Sequence, residues 1–204
     1  VLYLGQLGLG SYWPSTLNSW LWGLVYFLPI LSGTIADQVG FRKSLLVAFV
    51  LLAAGYFLMG YPVWLGGAKL NPVIASEKTA GADIFVPVLA AILLIGLGGS
   101  VIKPCISGTV QKTHAGRATL AFAIFYMVIN IGSLVGRVVA YYVRHFYDNL
   151  SFIFAVATGA AVVAFFVVLA LYRDFDRPAA AASGPRKTPG QVLLNMVLVL
   201  RNGR

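Results

Sequence analysis

Charged side chains are scarce in this 204-residue chain. Asp, Glu, Lys and Arg together make up 10% of it, whereas hydrophobic residues make up 59%. A soluble domain carries roughly 25% charged residues, because it has to cover a surface that faces water. The stretch from Val1 to Ala36 contains no charge at all. This composition excludes an ordinary soluble fold and indicates an integral membrane protein.

Cysteine and acidic residues are also few. The one cysteine, Cys105, excludes an internal disulfide. Six acidic residues against 15 basic ones give a net charge of +9, which would suit a nucleic-acid partner if the basic residues formed one face. They lie instead between and after apolar runs, so no nucleic acid is predicted as a partner. The chain opens on apolar residues without a basic segment, so no signal peptide is predicted from this sequence.

Apolar runs, separated by charges, glycines and prolines, predict six membrane helices. We expect an all-α membrane bundle over 1–172, followed by a Pro/Ala-rich linker over 173–204 with a short apolar helix at about 189–201. The first run is interpreted as the tail of a truncated first helix. The predicted helices cover about 1–9 (partial), 18–39, 44–61, 83–112, 118–145 and 150–172.

Lysine and arginine predict the orientation of the bundle. If the loop 40–43 lies inside, the alternation of helices puts ten of these residues on the inner side and three outside. This is the bias expected of a protein in a plasma (inner) membrane. It predicts that 40–43, 112–117 and 173–204 are cytoplasmic.

The predicted fifth helix carries one amide, Asn130, within an uncharged run. Helical geometry places Tyr126, Asn130 and Arg137 on one face, and such a polar stripe should face protein or a water-filled cavity. A simple hydrogen bond to a neighbouring helix would also explain Asn130, and Arg137 either lines the cavity or extends to the outer interface. The Gly132-x-x-x-Gly136 spacing suits close helix packing.

Lys103 lies deep in the predicted fourth helix, after 19 uncharged residues. An ammonium group at that depth has to be paired or hydrated, which makes it a candidate functional group. The alternative is that its long side chain extends to the cytoplasmic interface. Trp20 and Trp22, on the second helix, are interpreted as interface or packing residues.

A polar loop follows the second predicted helix. Gly33 would permit a close helix approach and Gly40 a tight turn. Asp37 can pair with a helix N-terminus or a base, and Arg42 and Lys43 can bind anionic headgroups. An ordinary cytoplasmic loop with a helix stop would account for the same residues.

Three motifs together carry a resemblance to a known family. The loop resembles the G-x-x-x-D-x-x-G-x-R-K signature of the major facilitator superfamily, with Gln38 in place of a basic residue. Lys103-Pro104, and F-Y-x-x-I-N-x-G-S-L-x-G over 125–136, resemble motifs of the proton-dependent oligopeptide transporter family within it. Ser100 and Val101 depart from the glycines that are common there. The resemblance covers about 1–172.

The resemblance implies the N-terminal six-helix bundle of a twelve-helix transporter, with the start of the linker between its two bundles. It implies symport of di- and tripeptides with protons by alternating access, with protons as the coupling ion and no cofactor. Tyr26 and Asn130 would bind the peptide, and Lys103 would bind it and couple protons. The implied partners are small peptides, protons, the lipid bilayer and the C-terminal bundle. The conformational-switch loop would comprise Gly33, Asp37, Gly40, Arg42 and Lys43.

The chemistry of a short peptide agrees with this resemblance. Its site needs a cation for the carboxylate, an amide or phenol for the backbone, and a carboxylate for the amine. This chain offers all of these except a membrane-embedded carboxylate, so it can hold about half of such a site. The groups on offer are Lys103, Arg137, Asn130, Tyr26 and Tyr126.

Catalytic patterns are missing from the sequence. No Ser/His/Asp set, metal cluster or phosphate-binding loop occurs in a suitable context, so neither an enzyme nor a metal site is predicted. Two alternatives to peptide transport stay open. One is a major facilitator transporter of another small solute, such as nitrate, a sugar or a drug. The other is a six-helix membrane module that does not transport.

Overall fold

The structure, a computed structural model, describes residues 1–71, 77, 79–113, 117–147 and 149–172. Its elements within these ranges are helical. The first, α1, is Leu2–Leu4, and the chain continues from it as a π-helical segment, Gly5–Leu9. The others are α2 (Tyr12–Phe27), α3 (Pro29–Val39), α4 (Phe41–Trp64), α5 (Ala82–Thr113), α6 (Ala118–Tyr147) and α7 (Ser151–Leu171). The predicted linker, 173–204, lies outside the described residues.

Four of these helices, α4 to α7, are long and apolar enough to cross a membrane, and α2 with α3 makes a fifth span if the bent pair counts as one. The segment from Leu2 to Leu9 is too short to cross a bilayer alone. The predicted all-helical fold is therefore confirmed for the part of the chain that the structure describes. The six-helix bundle itself stays a prediction.

The second predicted helix, 18–39, differs from the structure in two ways. It begins at Tyr12, because Pro14 falls in the first helical turn, where a missing N–H breaks no hydrogen bond. It also bends by 47° between α2 and α3. Pro29 opens α3 and has no N–H to continue the ladder, so the axis turns at this point.

Glycine shapes the start of the chain. Gly8 has a φ of +84° inside the π-helical segment, a conformation that side chains disfavour. Its carbonyl accepts hydrogen bonds from the backbone N–H groups of Thr79 and Ala80, at 2.8 and 2.9 Å. These bonds hold the loop before α5 against the first segment.

Helix α4 lies at the centre of the packing, with α5 on one side and α7 on the other. Small residues bring α4 and α5 together: a Cβ added at Gly55 would lie 2.7 Å from Cγ1 of Ile95, and one added at Gly98 would lie 2.8 Å from the Ala48 carbonyl oxygen. Leu9 and Leu17 complete this core and are fully buried. Close approach of small residues is the usual way in which membrane helices associate.

A second apolar cluster lies beside the turn between α3 and α4. We call this region of the molecule the loop end of the bundle. Ala36, Leu45 and Cys105 are buried in it. Gly40 makes the turn between the two helices, with a φ of +105°. The Nη2 of Arg42 donates a 2.7 Å hydrogen bond to the Leu169 carbonyl, in the last turn of α7. This bond attaches the start of α4 to the end of α7.

Helix α6 contrasts with the other long helices. The 18-residue apolar window of α6 has no buried residue among the described parts, whereas 39% of the α4 and α5 windows is buried. It contacts α5 and α7 only sparsely. Its polar stripe and its glycines therefore lie on an open surface of this structure.

Candidate functional site

Lys103 and Tyr26, predicted on separate helices, lie together in the structure. The Nζ of Lys103, on α5, lies 5.3 Å from the centroid of the Tyr26 ring, on α2. An ammonium this close to an aromatic face is attracted by the negative potential of the ring. Both side chains are exposed, so the cation remains available to a ligand.

A cavity of about 380 Å³ opens beside this pair, between α2, α4 and α5. Its size falls within the roughly 300–1,000 Å³ typical of small-molecule sites. Lys103 contributes its cation, whereas much of the remaining wall is apolar or aromatic. The wall residues include Trp22, Tyr56, Leu52, Ile95 and Ile102.

Trp22 is a wall residue that the sequence interpretation missed. Its ring stacks on that of Tyr26, with centroids 5.6 Å apart and planes 20° apart. The sequence interpretation placed Trp22 at an interface or in packing, although its spacing of four residues from Tyr26 puts both rings on one helix face. That spacing was the available signal.

Contacts around Ser100 and Gly33 hold α3 against α5 next to this cavity. The hydroxyl of Ser32 donates to the Ser100 carbonyl at 2.9 Å, and the Ser100 hydroxyl donates to the Leu97 carbonyl at 2.7 Å. A Cβ at Gly33 would lie 3.2 Å from Cβ of Pro104. Ser100 is therefore satisfied within its own helix, which explains how serine fits where the resembled family commonly has glycine.

Asn130 lies on α6 and is exposed. Its Nδ2 donates a 2.8 Å hydrogen bond to the carbonyl of Tyr126, one turn earlier in the same helix. In the part of the chain that the structure describes, it bonds no other helix. A side chain held only by its own backbone can exchange that bond for one to a ligand at little cost.

Four other predicted residues of α6 also face open space. Tyr126 is 60% exposed and Arg137 is exposed. A Cβ added at Gly132 or Gly136 meets no described atom within 4 Å. The packing role of the two glycines, and the place of Arg137 in a cavity, stay predictions.

A larger cavity, of about 640 Å³, lies between the loop-end half of α5 and the start of α6. Its wall is mainly aliphatic and aromatic and includes Val110, Leu120 and Phe125, with Arg117 at one end. None of the side chains predicted to bind peptide lines it. The smaller cavity is therefore the better candidate site, because the predicted cation, Lys103, lines it and the predicted phenol, Tyr26, lies beside that cation.

The predicted switch loop is folded into the two helices it joins. Its residues run from α3 through the Gly40 turn into α4. Arg42 is partly buried, whereas Asp37 and Lys43 are exposed. Nothing in this geometry shows a movement, so the switch role stays a prediction.

Comparison with known proteins identifies the family. The sequence profile of the Major Facilitator Superfamily matches residues 4–204. The chain belongs to the major facilitator superfamily. No solved structure gives a significant match.

Curated relatives of this superfamily member are transporters by name. Solute carrier family 15 member 2 of Homo sapiens is 31% identical over 119 residues, which are 55% of this chain and 14% of the relative. Dipeptide and tripeptide permease B of Aliivibrio fischeri is 33% identical over 116 residues, 55% of this chain and 20% of the permease. Peptide transporter family 1 of Drosophila melanogaster is 30% identical over 142 residues, 66% of this chain and 17% of that protein.

These relatives confirm the resemblance to proton-dependent oligopeptide transporters that the three motifs indicate. They are transporters and not enzymes, in agreement with the lack of a catalytic pattern in the sequence. The chain spans well under half the length of the relatives it matches, since the matched parts cover 14 to 20% of them.

Proposed function

We propose that the full-length protein transports di- and tripeptides together with protons, and that this chain is the N-terminal half of the transporter. The observation that carries the proposal is the Lys103 ammonium, 5.3 Å from the Tyr26 ring and beside the cavity. The names of the relatives support the substrate class. Protons serve as the coupling ion, and no cofactor is required.

The carboxylate, the backbone and the amine of a short peptide each need a partner group in the transporter. Lys103 pairs with the carboxylate, since a charge-assisted hydrogen bond is about twice as strong as a neutral one. Tyr26 and Asn130 bind the peptide backbone, with Tyr126 and Arg137 as further polar groups on α6. We assign the acidic partner of the peptide amine to the C-terminal bundle, since Asp37 and Asp83, the carboxylates of the described spans, lie near helix ends.

Lys103 also couples the proton. Its cation can pair with a protein carboxylate in one state and with the substrate carboxylate in another. Protonation of the protein carboxylate frees Lys103 to pair with the substrate. The two bundles rock about the site to open it to either side, with the Gly33–Lys43 loop as the switch. The protein lies in the plasma (inner) membrane, with 40–43, 112–117 and 173–204 in the cytoplasm.

Uptake by the purified full-length protein in liposomes tests this proposal. We expect labelled dialanine to accumulate when the outside is made acidic, and accumulation to stop when a protonophore collapses the gradient. Transport of nitrate or a sugar in place of dialanine would assign the chain to another branch of the superfamily. Failure to transport any of these would favour a non-transporting module.

A further inference from the structure

The cavity beside Lys103 has two chemically different parts. Lys103 contributes an ammonium group to its lining, and the other lining residues combine aliphatic side chains with the indole ring of Trp22. The indole is 52% exposed and stacks on Tyr26, so one aromatic surface continues from the cation into the cavity. This arrangement suits a ligand with an anionic group directly attached to an apolar one.

The C-terminal residue of a peptide has this arrangement, because its carboxylate and its side chain are attached to the same carbon atom. When the carboxylate pairs with Lys103, the side chain of that residue is the part of the peptide that can enter the cavity. An apolar or aromatic side chain there buries surface against Trp22, Leu52 and Ile95, which stabilises binding. A charged side chain would lose its hydration in this wall without a partner.

We propose that this cavity selects the C-terminal side chain of the substrate, favouring large apolar and aromatic residues, and that Trp22 determines this specificity. The inference rests on the proposed function, since it assumes that a peptide carboxylate pairs with Lys103. It adds a substrate preference and a residue that the three family motifs do not include.

The test is competition against labelled dialanine uptake by the full-length protein. Three unlabelled dipeptides are compared: dialanine, alanyl-phenylalanine and phenylalanyl-alanine. For the unmodified protein we expect alanyl-phenylalanine to compete several-fold better than phenylalanyl-alanine. For Trp22→Ala we expect the apparent affinity for alanyl-phenylalanine to fall about tenfold, and that for dialanine to fall much less, because a methyl group buries little surface against the indole ring.

Trp20→Ala is the matched control, because Trp20 lies on the same helix and is also 52% exposed, yet it does not line the cavity. It should leave all three affinities unchanged. A second variant, Gly99→Ala, narrows the cavity from its α5 wall. The added Cβ would lie 3.6 Å from Val25, an ordinary contact, so the variant should fold. This variant should weaken the binding of alanyl-phenylalanine more than the binding of dialanine.

The outcomes separate this inference from the proposed function. If the unmodified protein does not transport dialanine, the proposed function fails and the inference with it. If dialanine is transported but Trp22→Ala weakens all three dipeptides equally, Trp22 is a structural residue and the inference is overturned. The same conclusion follows if the unmodified protein does not discriminate the two phenylalanine dipeptides. If Trp22→Ala fails to reach the membrane, the affinities of Gly99→Ala for alanyl-phenylalanine and dialanine test the inference in its place.

Discussion

The contact between α4 and α5 makes a quantitative prediction for Gly98→Ala. A Cβ at this position would lie 2.8 Å from the Ala48 carbonyl oxygen and 3.2 Å from the Leu52 nitrogen. Both atoms belong to the backbone of α4, so neither can turn away as a side chain can. The two helices therefore have to move apart, which loosens the contact at the centre of the bundle.

The cost follows from two opposing terms. Overpacking a tight contact destabilises a protein by about 1–3 kcal/mol, whereas replacing glycine by alanine inside a helix stabilises it by about 1 kcal/mol. Gly159, on α7, meets no described atom within 4 Å, so Gly159→Ala carries only the favourable term. The two variants should therefore differ by about 1–3 kcal/mol, the overpacking term alone.

Thermal unfolding of the full-length variants in detergent, followed by circular dichroism at one heating rate, measures this difference. For a cooperative unit of this chain's size, 1 kcal/mol corresponds to about 2–4 °C. Gly98→Ala should thus unfold about 2–12 °C below Gly159→Ala. Equal midpoints, or a more stable Gly98→Ala, would refute the close α4–α5 contact.

Two further variants test the loop end and α6. Arg42→Ala should destabilise the last turn of α7 by about 1–2 kcal/mol, because it removes the charge-assisted bond to the Leu169 carbonyl. Faster amide exchange there would show this, and exchange no faster than in the exposed control Lys43→Ala would contradict it. Asn130→Ala should lower dialanine uptake about tenfold or more while shifting the unfolding free energy by less than about 0.5 kcal/mol, since the Asn130 amide bonds only Tyr126 of its own helix. A large loss of stability would instead favour a packing role.

The sequence was informative about helices because each apolar run must satisfy its backbone internally in lipid. The uncharged run after residue 117 predicts a helix over 118–145, and the structure has one over Ala118–Tyr147. The motifs also identified the family, because they combine specific residues with a fixed order along the chain. Periodicity alone placed Tyr126 and Asn130 on one face, and they do lie one turn apart.

Features that depend on which helices meet were less predictable. The apolar run through Pro29 gave no sign of the 47° bend, since hydropathy does not report a missing hydrogen bond. The aromatic wall at Trp22 depends on how α2 packs against α4 and α5, which a single helical pattern does not contain. Conversely, the Gly132 and Gly136 spacing predicts a packed face, but it does not say which helix packs there.

The central claim, that Lys103 binds the carboxylate of a transported peptide, is tested most directly by proton-driven dialanine uptake into liposomes by the full-length Lys103→Ala variant. Lys69→Ala is the control, because Lys69 is an exposed lysine in the loop after α4, away from the cavity. Loss of a charge-assisted bond of about 1.5–3 kcal/mol predicts that uptake by Lys103→Ala falls about tenfold or more, with Lys69→Ala unchanged. Uptake by Lys103→Ala equal to that of the unmodified protein would contradict the claim.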